Sequence, residues 1–145
     1  MTQEIAIHTQ QVGRTYHTQS GDVHALTDIT FTVERGSFIL LKGRSGSGKT
    51  TLLNCLGGLD QPTTGTIHIL NAELSAMNDR QRTQWRRQNV GFVFQQMGLL
   101  PGFSCYENLD IMARLGNVPR RDRRDIIFDM LEQVGLIDYY QHRPY

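Results

Sequence analysis

The residues with the clearest capacity for chemistry form a glycine-rich octapeptide. It runs from residue 43 to residue 50 as Gly-Arg-Ser-Gly-Ser-Gly-Lys-Thr and matches the pattern G-x-x-x-x-G-K-[ST] at every fixed position. Glycines allow positive φ angles and a close approach of the backbone to an anion, so that consecutive N–H groups converge on phosphate oxygens. The pattern predicts a phosphate-binding loop, or P-loop, that holds a nucleoside triphosphate with Mg²⁺.

Each part of the P-loop has a predicted role. We expect Lys49 to reach the β- and γ-phosphates and to act in catalysis, and we expect the Thr50 hydroxyl to bind Mg²⁺. The N-terminus of the helix that follows adds a partial positive charge. The remaining predicted nucleotide-binding residues are Gly43, Arg44, Ser45, Gly46, Ser47, Gly48 and Thr51. The alternative is a flexible surface loop before a helix, which the agreement between motif and context disfavours.

The elements that must position this loop are visible as hydrophobic patterns. Residues 5–7 and 29–33 alternate between apolar and polar types, which predicts two half-buried strands. Residues 38–41, Phe-Ile-Leu-Leu, form a continuous apolar run that predicts a fully buried strand directly before the P-loop. Helical spacing after Lys49 predicts a helix that ends at the glycine pair 57–58.

Further elements are expected downstream, first strands and then mainly helices. They are a short strand over residues 65–70, an arginine-rich helix over 79–88, a buried strand over 90–94, a helix that begins at a Ser104-x-x-Glu107 capping box, and an amphipathic helix over 126–134. The change of pattern divides the chain into a β portion with a P-loop core over residues 1–95 and a helical part over 96–145.

Composition excludes several classes of protein. The chain has 145 residues and a formal net charge of +1, so a nucleic-acid partner is not expected. Arginines cluster over residues 80–87 and 120–124, but acidic neighbours make a solvated helix surface the preferred interpretation. Two cysteines without metal-type spacing indicate a reducing compartment. The first ten residues have neither a basic n-region nor an apolar h-region, so we expect no signal peptide. The apolar runs are much shorter than the roughly 20 residues that span a bilayer, so we expect a membrane role to require a partner.

Two further stretches indicate which class of P-loop protein this is. LGGLDQPTTGTI follows the predicted helix at residues 56–67, and VGFVFQQMGLLPGFSCYENL occupies residues 90–109. With the P-loop, they resemble the ATP-binding subunits of ABC transporters, in particular the lipoprotein-releasing and macrolide-exporter group. The resemblance implies a RecA-like P-loop α/β core with an N-terminal antiparallel β portion and the start of a helical subdomain. It also implies ATP with Mg²⁺ as the bound nucleotide.

The resemblance assigns two residues outside the P-loop. Tyr16 lies where the family has an aromatic side chain that stacks on adenine, although a strand-end aromatic at the edge of the core is an alternative. Gln95 matches the glutamine of the family's Q-loop, which contacts Mg²⁺ or the attacking water and relays the state of the nucleotide to a membrane partner. The alternative for Gln95 is an ordinary exposed glutamine at the end of a strand.

The resemblance also implies partners. A membrane permease would dock near Met97 to Phe103, although the apolar residues of that segment could instead belong to the core of the helical part. Glu107 could contact the permease or serve only in its capping box. A second nucleotide-binding domain would complete a homodimer. The protein is therefore expected to be cytoplasmic and peripheral on the inner face of the cell membrane.

Several family motifs are not found in this sequence. The signature motif, the Asp-Glu strand and the switch histidine have no match. Residues 56–58 are similar to part of the signature, but they are better explained as the end of a helix. Residues 126–129 are similar to the Asp-Glu strand, but their spacing is helical. Residues 134–144 resemble the segment just before the signature, so a truncated domain is expected. This chain alone should bind MgATP weakly, hydrolyse it negligibly and aggregate.

Three functions are compatible with these observations. The first is the ATP-binding subunit that couples ATP binding and hydrolysis to substrate movement by a permease. The second is a nucleotide-binding remnant without turnover that still docks on a permease. The third is a small P-loop kinase, which the Q-loop resemblance disfavours.

Overall fold

The computed structural model describes residues 4–95 and 98–144. The chain divides into two compact units, with the boundary between Val90 and Gly91. The first unit contains an antiparallel sheet, the P-loop, two α-helices and a 3-10 helix (Leu74–Ala76). The second contains two α-helices and a 3-10 helix (Ile137–Tyr139). None of the helices within the described ranges is long and apolar enough to cross a bilayer.

A four-stranded antiparallel sheet forms the frame of the first unit. Its long hairpin consists of β1 (Ile5–Thr18) and β2 (Gly21–Glu34), and β3 (Thr64–Ile69) and β4 (Ala72–Glu73) follow later in the chain. The strand order is β2-β1-β3-β4, so β1 pairs with strands on both sides. The alternating patterns predicted strands over residues 5–7 and 29–33, and these segments lie within β1 and β2. The predicted strand over 65–70 is confirmed as β3.

The core of the first unit lies between this sheet and the P-loop helix. Helix α1 (Lys49–Leu56) turns Leu52 and Cys55 toward the sheet, where β1 and β3 supply Val12 and Ile67. Burying a side chain of the size of Leu or Ile contributes roughly 1.5–3 kcal/mol, so these contacts anchor α1 and the loop before it.

Gly65 permits a close crossing of β1 and β3. Its φ angle is +77°, and a Cβ atom at this position would lie 2.3 Å from the carbonyl oxygen of Gln11. The register of the β1–β3 pair shifts between Gln10 and Gly13, next to this contact. Only glycine therefore fits where β3 passes the irregular part of β1.

The arginine-rich helix is less solvated than the sequence suggested. Helix α2 (Asp79–Asn89) begins at a capping box formed by Asn78 and Gln81. Arg82 is buried and pairs with Asp79, and Arg86 donates a hydrogen bond of 2.5 Å to the carbonyl oxygen of Gly58. The expectation of a solvated helix surface was wrong for these two arginines, because their guanidinium groups donate hydrogen bonds to nearby acceptors.

The two predicted buried strands were wrong in the described structure. Residues 38–41 and 90–94 adopt no strand, and Phe38 is 90% exposed while Val93 is fully exposed. A central strand needs a hydrogen-bonding neighbour, and no strand within the described ranges pairs with either segment. Apolar patterns predicted strands correctly only where a neighbouring strand was available for hydrogen bonding.

The second unit consists mainly of α3 (Cys105–Leu115) and α4 (Arg120–Gln133). The predicted capping box is present, since the Ser104 side chain accepts from the backbone of Glu107 and the Glu107 side chain accepts from the backbone of Ser104. These hydrogen bonds hold the pKa of Glu107 below its ordinary value. Asn108 fixes the loop before α3, because its side chain exchanges hydrogen bonds with the backbone of Leu100.

Candidate functional site

The P-loop lies at the base of α1 and against β2. Gly48 caps the helix with a φ angle of +86°, and its carbonyl oxygen accepts from the Leu52 N–H at 2.8 Å. A Cβ atom on Gly48 would lie 2.4 Å from the carbonyl oxygen of Ala25 in β2. The glycine at this position in the motif is therefore required both for the turn and for the contact with β2.

The N-terminus of α1 differs from those of α2 and α3. Both α2 and α3 have side-chain capping boxes, whereas α1 has no side-chain cap among the described residues and no acidic residue in its first turn. The N–H groups of its first turn therefore point to the loop without a carboxylate or hydroxyl acceptor. An uncapped N-terminus with positive dipole character suits an anion such as a phosphate.

Lys49 brings a full positive charge to the same place. Its ammonium group donates to the carbonyl oxygens of Gly43 and Arg44, at 2.9 and 2.8 Å, and approaches the Ser47 hydroxyl at 3.4 Å. These neutral acceptors hold the Lys49 side chain over the loop. Because no anionic side chain neutralises it within the described residues, the ammonium can bind a phosphate as a compact cation.

An open cleft of about 560 Å³ lies over the P-loop. Residues 45–51 form one wall, and Val23, His24 and Ala25 of β2 form the other. The three β2 residues were not predicted as part of the site, and no sequence pattern marks them. The predicted P-loop residues Gly43 and Arg44 contribute through the carbonyl oxygens that hold Lys49. The donors and the space fit a triphosphate.

Tyr16 lies in a polar cluster at the side of β1. Its hydroxyl donates to Asp60 at 2.7 Å, and the Arg14 guanidinium carbon lies 4.4 Å from the centroid of its ring. Tyr16 does not line the cleft itself, but its cross-strand partner Val23 does. Stacking of Tyr16 on adenine therefore stays a prediction.

The charges of this cluster support one another. Burial raises the pKa of Asp60, but hydrogen bonds from Tyr16, the Gln61 N–H and Arg14 outweigh it, so the pKa lies below its ordinary value. For Arg14 burial acts in the other direction and lowers the pKa. Its hydrogen bonds with Tyr16 and Asp60 and their negative charge raise the pKa by more, so it lies above the ordinary value. Both groups are ionised at neutral pH.

Thr50 and Gln95 are the residues predicted to bind Mg²⁺, and Gln95 is also predicted to act in catalysis. Thr50 is exposed in the first turn of α1, and Gln95 is exposed at a bend in the second unit. Within the described ranges no group of three or more His, Cys, Asp or Glu side chains could hold a metal ion. The Mg²⁺ role of both residues and the catalytic role of Gln95 therefore stay predictions.

The predicted docking segment is partly described. Met97 lies outside the described residues, whereas Leu99, Leu100 and Phe103 are 42%, 43% and 40% exposed. Leu99 and Leu100 line an apolar cavity of about 530 Å³ with side chains of α3 and α4. The alternative that these residues are buried core is not supported by this exposure.

The fold and the glycine-rich loop define a domain of the P-loop class, and comparison with known proteins identifies the family. A family model described as ABC transporter matches residues 26–145. The chain therefore belongs to the ABC transporter family, and the resemblance to its lipoprotein-releasing and macrolide-export members is confirmed.

Individual relatives agree with this assignment. The lipoprotein-releasing system ATP-binding protein LolD of Legionella pneumophila (strain Lens) is 38% identical over 141 residues, which cover 97% of this chain and 62% of LolD. The macrolide export ATP-binding/permease protein MacB of Rhodopseudomonas palustris (strain BisB18) is 37% identical over 131 residues, which cover 90% of this chain and 20% of MacB. The chain spans about three fifths of the length of the LolD relative.

A solved structure confirms the predicted fold class over the part of the domain that the chain covers. The ATP-binding cassette MJ0796, in a dimeric post-hydrolysis state bound to ADP and Pi, matches with a TM-score of 0.85 at 31% identity. The match covers 95% of this chain and 61% of MJ0796.

Proposed function

We propose that this protein is the ATP-binding subunit of an ABC transporter, which binds MgATP at the P-loop and couples its binding and hydrolysis to substrate movement by a membrane permease. The observation that carries the proposal is the uncapped N-terminus of α1 with the ammonium of Lys49 held above it. The names of LolD and MacB, which describe an ATP-binding protein and an ATP-binding/permease protein, support it.

The residues of the cleft have separate tasks in this proposal. The N–H groups of residues 45–51 bind the phosphates, and Lys49 leaves its carbonyl acceptors to neutralise the β- and γ-phosphate oxygens. Thr50 supplies a hydroxyl ligand for Mg²⁺, and Gln95 contacts the metal or orients the attacking water. Bound ATP supplies the phosphoanhydride bond whose hydrolysis provides the free energy for transport.

The proposed partners are a permease and a second copy. The exposed apolar residues Leu99, Leu100 and Phe103 offer a docking surface for the permease. The solved cassette MJ0796 is dimeric, which supports a homodimer of nucleotide-binding domains. Attachment to a permease would place the protein on the cytoplasmic side of the membrane.

A binding measurement tests the nucleotide site directly. We expect isothermal titration with MgATP to give weak binding that Lys49→Ala abolishes, because the mutation removes the cation at the phosphates. Lys42→Ala is the matched control, since Lys42 is the only other lysine of the chain and precedes the motif. Equal affinity of the Lys49→Ala and Lys42→Ala variants would contradict the proposal.

A turnover measurement separates the coupling subunit from a nucleotide-binding protein without hydrolysis. Phosphate release is followed with the gene product reconstituted with its permease. Release that Lys49→Ala abolishes supports the coupling subunit. Binding of MgATP without any release supports the alternative.

A further inference from the structure

The carboxylate of Asp60 is fully satisfied by hydrogen bonds next to Tyr16. Arg14 donates to Asp60 with two nitrogens, Nε to Oδ2 at 2.9 Å and Nη2 to Oδ1 at 2.8 Å. The Tyr16 hydroxyl donates to Oδ2 at 2.7 Å and the Gln61 N–H to Oδ1 at 2.7 Å. Both side chains of the ion pair are only about a fifth to a quarter exposed (24% for Arg14 and 21% for Asp60), so the bidentate pair is partly shielded from water.

This arrangement fixes the ring of Tyr16 at two places. Asp60 holds its hydroxyl, and the guanidinium of Arg14 covers one of its faces at 4.4 Å from the centroid. A cation over an aromatic face is attractive, so the contact itself resists rotation of the ring. Only the opposite face can then receive another planar group.

The fixed ring lies next to the P-loop cleft. Tyr16 is directly opposite Val23 in the β1–β2 pair, and Val23 is 51% exposed and lines the cleft. Directly opposed residues present their side chains on the same face of a sheet at close distance. A nucleotide whose phosphates lie on the P-loop can therefore extend its base past Val23 toward Tyr16.

We propose that Arg14 and Asp60 are positioning residues that hold the Tyr16 ring as a stacking surface for the nucleobase. This inference rests on the proposed function, because it assumes a nucleotide at the P-loop. Stacking uses the π-face that every base has, so the surface adds affinity for a nucleoside triphosphate over a bare triphosphate. Asp60 follows α1 in the chain, so it ties the base-binding strand to the end of the P-loop helix.

Two probes separate base binding from phosphate binding. MgATP requires both the P-loop and the Tyr16 surface, whereas magnesium tripolyphosphate requires only the P-loop. We compare the ratio of the two affinities among wild type, Tyr16→Ala and Asp60→Asn by isothermal titration. A mutation that changes the charge near the phosphates alters the affinities for both probes in the same direction. The ratio of the two affinities therefore does not report such a change.

The expected result is a fall in the ratio. Loss of base stacking in Tyr16→Ala should lower it roughly tenfold, and loss of positioning in Asp60→Asn should lower it by roughly threefold or more. Glu4→Gln is the matched control, since it breaks a carboxylate–arginine pair with Arg35 at the other end of the same hairpin. Its ratio should equal that of wild type.

Different failures have different meanings. If Asp60→Asn weakens both probes equally or changes neither, the positioning role is overturned while the proposed function stands. If wild type binds neither probe, the proposed function fails and the inference with it. Should Asp60→Asn not fold, Tyr16→Phe keeps the ring and removes only its hydroxyl, and an unchanged ratio for that variant would overturn the inference.

Discussion

The two cysteines have different surroundings and should differ in reactivity. Cys55 is 1% exposed in the core, where burial and the negative charge of Asp60 raise its pKa to about 11. Cys105 is half-buried at the start of α3. Because the thiolate is the reactive form, iodoacetamide at pH 8 should label Cys105 in the folded protein and Cys55 only after denaturation. Peptide mass spectrometry checks this, and equal labelling rates in the folded protein would contradict it.

Asp60 should make stability dependent on pH. Its pKa is lower in the folded than in the unfolded chain, so the ionised pair with Arg14 stabilises the fold at pH values above about 4, the ordinary pKa of an aspartate. This contribution is lost as the pH falls through the lower folded-state pKa. Urea unfolding should show Asp60→Asn less stable than wild type at pH 7, with the difference shrinking toward pH 3.

The exposed pair of Glu4 and Arg35 provides the comparison for that measurement. Its side chains are 58% and 67% exposed, and exposed ion pairs contribute little. Glu4→Gln should therefore remain close to wild type at both pH values. A constant difference between Asp60→Asn and wild type from pH 7 to pH 3 would show that the carboxylate charge is not the source of the stability.

At the level of elements, the start of α3 depends on its capping box. Ser104→Ala removes the acceptor for the Glu107 N–H and should lower the free energy of unfolding by about 1 kcal/mol. Ser104→Thr keeps a hydroxyl at the same place and should lose much less. Urea unfolding followed by circular dichroism measures both, and an equal loss for the two variants would argue against the cap.

Helices and strands were predictable to different degrees, for a physical reason. The capping boxes of α2 and α3 and the glycines at the ends of α1 and α3 lie within a few positions of the helices that they bound, so their signals are complete in the local sequence. The hairpin also needs only neighbouring segments. The apolar runs at 38–41 and 90–94 have strand-like composition, but strand pairing requires distant partners that local composition does not identify.

For the molecule as a whole, the exposed apolar runs predict self-association. Phe38, Ile39 and Leu40 are 90%, 54% and 63% exposed in succession, and contiguous apolar surface of this kind favours association. Light scattering of the purified chain should rise with concentration, and Phe38→Lys should reduce it. Thr27→Lys adds the same charge at an exposed polar position of β2 and should reduce it less. Equal effects would attribute the change to charge alone.

Residue types and their spacing were enough to identify the family, the P-loop motif, short strands on either side of the first turn and the capping box of α3. Each of these depends on residue types at short, defined spacing, and backbone chemistry at that range leaves few alternatives. The sequence also identified Tyr16 and Gln95 by resemblance, but it indicated nothing of their surroundings.

The long-range contacts of the first unit could be found only from its three-dimensional arrangement. The β2 wall of the cleft and the contacts of Asp60 with Arg14 and Tyr16 join residues far apart in the chain. Asp60 is 46 positions from Arg14 and 44 positions from Tyr16. Such contacts depend on strand register and on where α1 ends. These are set by the packing of the whole unit, because no local pattern specifies which distant side chain will supply the matching charge.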